Sequence, residues 1–128
     1  MKLTSEKVLT VQEKRFAIRL SKDLLFFNNK SLAVKGDDLA HAYNTNEDFI
    51  KEFPQIKLNQ RKIQFLVNYI RAKGMIKNLL GGTGGYWVSS DADEINHHVR
   101  SIYARINQIS LTLGSFDTTF GGVQQELV

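Results

Sequence analysis

The sequence predicts a mainly α-helical chain carrying one small β hairpin. Apolar residues recur at steps of three and four over three separate stretches, the period of an amphipathic helix. Two short apolar runs flank the link Gly81-Gly82-Thr83-Gly84-Gly85, the pattern of two strands and a glycine-rich connection. With 128 residues there is enough chain for one core. The expected organisation is a single domain over 1–113 and a mobile tail over 114–128, where periodicity gives way to Gly, Thr, Gln and Ser.

The first helix is expected over 11–27, where Phe16, Leu20, Leu24 and Phe27 form one apolar row ended by Asn28-Asn29. Ser31-Leu32-Ala33-Val34, part β-branched and bounded by Lys35-Gly36, predicts a brief edge strand. Asp37 and Asp38 then open a short helix, since acids are stabilised by the free amides of a helix start. A further helical piece from Glu47 stops at Pro54, which lacks an N–H and clashes with the preceding turn. The most regular helix lies at 59–73. Asn59 is its cap, Ile63, Leu66, Val67 and Ile70 are its buried stripe, and Gly74 supplies the left-handed residue past its end.

A hairpin is expected over 75–89, built from Met75-Ile76-Lys77-Asn78-Leu79-Leu80 and Tyr86-Trp87-Val88-Ser89. Strand alternation sends Tyr86 and Trp87 to opposite sides, with Trp87 assigned to the core. Ser90, followed by Asp91, Asp93 and Glu94, predicts the start of a long helix over 90–113. Its apolar residues Ile95, Val99, Ile102, Ile106, Ile109 and Leu113 are spaced 4, 3, 4, 3, 4, the seam of a helix pair. The flanking Asn96, His98, Tyr103, Arg105, Ser110 and Thr112 offer no opposite charges to specify a partner helix. The seam is therefore expected to lie against the Phe16, Leu20, Leu24 and Phe27 row of the same chain, which favours a monomer over a homodimer.

The net charge of +4 is unevenly spread. Residues 53–90 carry six Lys/Arg and no Asp/Glu, whereas 31–52 and 91–128 each carry two against five. A stretch of 38 residues without an acid, in a chain with thirteen, is the pattern of a surface facing phosphates. On the 59–73 helix the side opposite the apolar stripe carries Arg61, Phe65, Asn68 and Ala72, with Gln64 and Arg71 on one flank and Lys62, Tyr69 and Lys73 on the other. Arg and Lys suit phosphate or guanine, Asn and Gln suit adenine. The expected nucleic-acid contacts are Arg61, Lys62, Gln64, Asn68, Arg71, Lys73 and Lys77. Phe65 and Tyr86 are expected partner contacts, as aromatic anchors.

Leu66-Val67-Asn68-Tyr69-Ile70-Arg71-Ala72-Lys73-Gly74, then Gly85-Tyr86-Trp87-Val88, then Glu94-Ile95 leading to Val99-Arg100-Ser101-Ile102-Tyr103-Ala104-Arg105-Ile106, resembles the small winged helix-turn-helix proteins of phages and mobile elements. The likeness covers about 34–109, with Val34-Lys35-Gly36-Asp37-Asp38-Leu39-Ala40 at its opening. It implies a winged helix-turn-helix with an added N-terminal helix and a long helix after the wing. The first block would be the recognition helix and Gly-Tyr-Trp the returning wing strand. Gly74-Met75-Ile76 departs from the family's Gly-x-Pro-Ile turn. The resemblance implies a non-enzymatic regulator that binds DNA or structured RNA. An anti-CRISPR or other anti-defence inhibitor, acting on a host defence ribonucleoprotein or its guide RNA, is the alternative it leaves open.

Chemistry of other kinds finds little support. The glycine-rich link lacks Gly-Lys-Ser/Thr and leads into a strand, so it offers no amide cradle for phosphate. His97 and His98 diverge by about 100° on a helix and His41 is remote, so no metal is expected. No cofactor, nucleophile or catalytic base is expected, and hence no enzyme. Zero cysteines and the lack of an apolar segment near Met1 suit a cytoplasmic address away from membranes.

Overall fold

A computed structural model of the chain describes residues 8–116, in two compact units, one ending at Asp91 and the other beginning at Ala92. The expected class holds: the chain is mainly helical with one small antiparallel hairpin. The first unit contains α1 (Val11–Leu24), a 3-10 turn (Lys30–Leu32), α2 (Gly36–Asn44), α3 (Glu47–Glu52), α4 (Gln60–Ala72), β1 (Leu79–Gly82) and β2 (Gly85–Val88). The second unit contains α5 (Ala92–Gly114).

A capping box starts α1. Thr10 Oγ1 accepts from the Glu13 amide at 3.1 Å, and Glu13 Oε1 accepts from the Thr10 amide at 2.9 Å. Phe16, Leu20 and Leu24 are buried as expected, but the helix stops at Leu24 rather than 27. The amides of Leu25, Phe26 and Phe27 bond back three residues instead of four, the tightening that ends many helices. The predicted strand at 31–34 is likewise shorter. Asn29 Oδ1 accepts from the Leu32 amide and winds Lys30–Leu32 into a 3-10 turn, so that of 31–34 only Val34 forms a β-bridge. Val34 and Tyr86 exchange two backbone hydrogen bonds, at 2.9 and 2.7 Å.

The core is aromatic on one side and aliphatic on the other. The Phe16 ring meets Tyr43, Phe49 and Phe53 edge-on, with centroids 4.9, 5.0 and 5.5 Å away. α4 packs on α1 and α2 and adds Ile63, Leu66, Val67 and Ile70, all wholly buried. Two asparagines place it. Asn59 Oδ1 accepts from the Lys62 amide at 2.7 Å and caps the first turn. Asn44 clamps the incoming loop, its Nδ2 donating to the Leu58 carbonyl at 2.8 Å and its Oδ1 accepting from the Leu58 amide at 3.2 Å.

The hairpin begins at Leu79, four residues later than the hydrophobic run predicts. Gly74, at φ +63°, closes α4: its amide donates to Arg71 O and that of Met75 to Ile70 O, so the chain just past Gly74 is still capping the helix. Asn78 then takes φ +61° and turns the chain into β1. The glycine-rich connection is a two-residue loop, Thr83-Gly84, because Gly82 pairs with Gly85. One face of the hairpin holds the pairs Leu79/Val88 and Gly81/Tyr86, the other Leu80/Trp87.

The first unit ends with the Asp91 amide donating to Ser89 Oγ at 3.1 Å, and in the second unit α5 starts at Ala92, two residues past Ser90. No residue of α5 is buried. In the first unit Phe16, Leu20 and Leu24 of the α1 row are buried in the core that α4 completes. The expected tail lies, beyond Phe116, outside the described residues.

Candidate nucleic-acid interface

Complete burial of Ile63, Leu66, Val67 and Ile70 fixes how α4 is rotated, so its opposite face is turned to solvent. Arg61, Gln64, Asn68, Ala72 and Lys73 are exposed along that side, and Lys77 is exposed just beyond it. Two cations on it stack over aromatic rings one turn away. The Arg61 guanidinium lies 5.7 Å from the Phe65 centroid, and Lys73 Nζ lies 5.8 Å from that of Tyr69. Both rings are half-buried, so the polar heads are steadied on a partly apolar floor.

Two of the expected contacts, Lys62 and Arg71, have partners within the chain. Lys62 Nζ donates to Glu13 Oε2 at 2.5 Å, tying α4 to the first turn of α1. Burial raises the Glu13 carboxyl, but the Lys62 ammonium and the Thr10 amide more than offset it and hold the group below its ordinary value. Arg71 is half-buried, and its Nε donates to the Leu79 carbonyl at 2.9 Å, joining α4 to β1. Sequence periodicity places Lys62 and Arg71 on the flanks of the helix, where a long side chain reaches a neighbouring element as readily as a ligand.

Tyr86 is half-buried. Its ring lies beneath the Arg71 guanidinium, 6.0 Å from centroid to Cζ, and joins the edge of the main core. Glycines make room for it. A Cβ at Gly81 would stand 3.4 Å from the Tyr86 ring and from Arg71 Nη2, and one at Gly36 would stand 3.7 Å from the same ring. Burial accordingly raises the Tyr86 hydroxyl and lowers the Arg71 guanidinium from their ordinary values. Trp87 is buried as expected, yet it pairs with Leu80 on the other face of the hairpin and is not part of the main cluster. Lys30 Nζ lies 5.9 Å from its ring.

The hairpin itself carries no charged residue between Leu79 and Val88. Its tip offers backbone amides and the Thr83 hydroxyl. Gly85 holds that tip to the strand residue Val34: at φ +113° its backbone runs so close that a Cβ would sit 2.2 Å from the Val34 carbonyl carbon. Among the described residues no three His, Asp or Glu come together as a metal site, and no helix is long and apolar enough to cross a membrane. Glu13 and Asn44 are the positioning residues that periodicity alone overlooks; Thr10-x-x-Glu13 is a readable capping-box signal, whereas Asn44 has none. Comparison of the chain with protein-family models, curated proteins and solved structures finds no match.

Proposed function

We propose that this chain binds duplex DNA without chemistry of its own, with α4 as the recognition helix of a winged helix-turn-helix, and acts as a regulator. The observation that carries the reading is the exposed face of α4. Gln64 and Asn68 stand one turn apart on it, and the acid-free stretch around it keeps Lys57, Arg61, Lys73 and Lys77 exposed. Such a helix fits the major groove of B-form DNA, while the deep, narrow major groove of A-form RNA excludes it. Gln64 and Asn68 have the paired donor and acceptor that adenine requires, and the cations suit the flanking phosphates.

The order α2, α3, α4, β1, β2, with Val34 bridged to Tyr86, supports the winged arrangement. Without a cation on the hairpin, the wing would contribute backbone amides and Thr83, a small share of the affinity. Fluorescence anisotropy of a labelled duplex over a range of salt tests the reading. If the four exposed cations each neutralise a phosphate, the slope of log K against log salt is roughly −3 to −4. Absence of binding at low salt, or binding indifferent to salt, would reject this reading and direct the search to a protein partner.

A further inference from the structure

We infer that α5 pairs with α5 of a second copy of this chain through the seam Ile95, Val99, Ile102, Ile106, Ile109 and Leu113. α5 has 23 residues, a rod about 34 Å long, and none of them is buried. Val99, Ile102, Ile106, Ile109 and Leu113 are 41, 40, 55, 59 and 49 % exposed. The steps alternate 4 and 3, the heptad alternation by which one helix packs along another of the same pattern.

An identical helix meets this requirement. The apolar rows of α1 and α4 are buried in the core of the first unit, so among the described residues α5 alone carries an open row of this period. The spacing 4, 3, 4, 3, 4 also reads the same in both directions. In an antiparallel pair Ile95 lies level with the partner's Leu113, Val99 with the partner's Ile109 and Ile102 with the partner's Ile106; in a parallel pair each residue meets its own equivalent. All six positions are opposed either way. The only full charge on the flanking positions is Arg105, so no row of like charges opposes self-pairing along the seam.

The exposed area is of the right size. The five open aliphatic side chains leave a stripe on the order of 400 Å² per copy, as large as the patches that usually mark an interaction site. Two such stripes, with the flanking Tyr103 that is 68 % exposed, reach about the 1,000 Å² that a specific interface needs. A two-fold pair closes on itself, each copy covering the other.

Sedimentation equilibrium of the full chain, without nucleic acid, tests the pairing. At about 100 µM, far above a micromolar dissociation constant, the native chain should have twice the chain mass. Ile102→Asp and Ile106→Asp should each give the mass of one chain and keep the cooperative melt of the first unit. Ser101→Asp, off the seam, should remain a dimer. A native monomer, a native trimer or tetramer, or a dimer that survives Ile102→Asp would overturn the inference. So would loss of the first unit's melt in Ile102→Asp and Ile106→Asp, which would place the seam inside its own chain. Pairing needs no nucleic acid, and its failure would leave the DNA reading of α4 standing.

Discussion

Replacing Gly85 with alanine should be among the most damaging single-methyl additions to the hairpin. The residue sits at φ +113°, where an ordinary side chain costs roughly 1–3 kcal/mol. The new Cβ would also lie 2.2 Å from both the carbonyl carbon and the oxygen of Val34, and 2.6 Å from the Lys35 nitrogen, all of them backbone atoms that cannot swing aside. Relief requires parting Val34 from Tyr86, which breaks two hydrogen bonds worth about 1 kcal/mol each. Together these come to about 3–5 kcal/mol, or a fall in melting temperature of more than about 12 °C for a unit of this size. Two other glycines are internal controls. Gly74 has φ +63° but nothing within 4 Å of its Cβ position, so Gly74→Ala should cost only the backbone strain, about 1 kcal/mol. At Gly84 the nearest atom, Ala33 Cβ, is 4.0 Å away and φ is not positive, so Gly84→Ala should be close to neutral. Urea unfolding followed by circular dichroism ranks the three. A Gly85→Ala variant within about 0.5 kcal/mol of the native chain, inside the range of an ordinary surface change, would refute the close approach of Val34 to the hairpin.

Arg71→Ala should destabilise the chain by about 1.5–3 kcal/mol, the worth of a charged hydrogen bond such as that to Leu79 O, whereas Arg61→Ala should leave the melt within about 0.5 kcal/mol; equal effects in thermal melts would contradict the division of roles. Leu66→Ala should cost about 2–5 kcal/mol through a core cavity, against almost nothing for the exposed Gln64→Ala, and a reversed order would mean that α4 is rotated differently. Because the folded Glu13 carboxyl is held below its ordinary value, its contribution is fully present above about pH 4.5 and is lost as pH falls through the lower folded value. Melting temperature against pH should therefore fall more steeply below about pH 4.5 in the native chain than in Lys62→Met; parallel curves would show that the Glu13–Lys62 pair adds no stability.

Local signals in the sequence were most reliable where they were strong and self-consistent. The stripe Ile63, Leu66, Val67, Ile70, its Asn59 cap and the Gly74 terminator together define α4 to within a residue or two, because each is a short-range effect of backbone geometry. The errors arise where a side chain or turn redirects the chain. Asn29 coils a segment that its β-branched content marks as strand, and the closure of α4 with the turn at Asn78 uses up residues that hydrophobicity assigns to β1. For the candidate interface, periodicity identified the face but not the partners of its flanks. Lys62 and Arg71 meet Glu13 and the Leu79 carbonyl, 49 and 8 residues away in the chain, and no local pattern encodes those distances. The apolar seam of α5 is legible in the sequence, but an apolar row specifies a period and leaves open which row of the same period meets it.

The reading of α4 as a DNA-binding face is tested most directly by comparing salt dependence in the native chain and in the double variant Arg61→Ala/Lys73→Ala. Both residues are exposed and stack only on rings of their own helix, so the double variant should melt like the native chain. Each phosphate contact removed lowers the slope of log K against log salt by about 0.9. The account predicts a slope shallower by roughly 2 units in the double variant, with weaker binding at every salt concentration. An unchanged slope and affinity on an intact fold would contradict it.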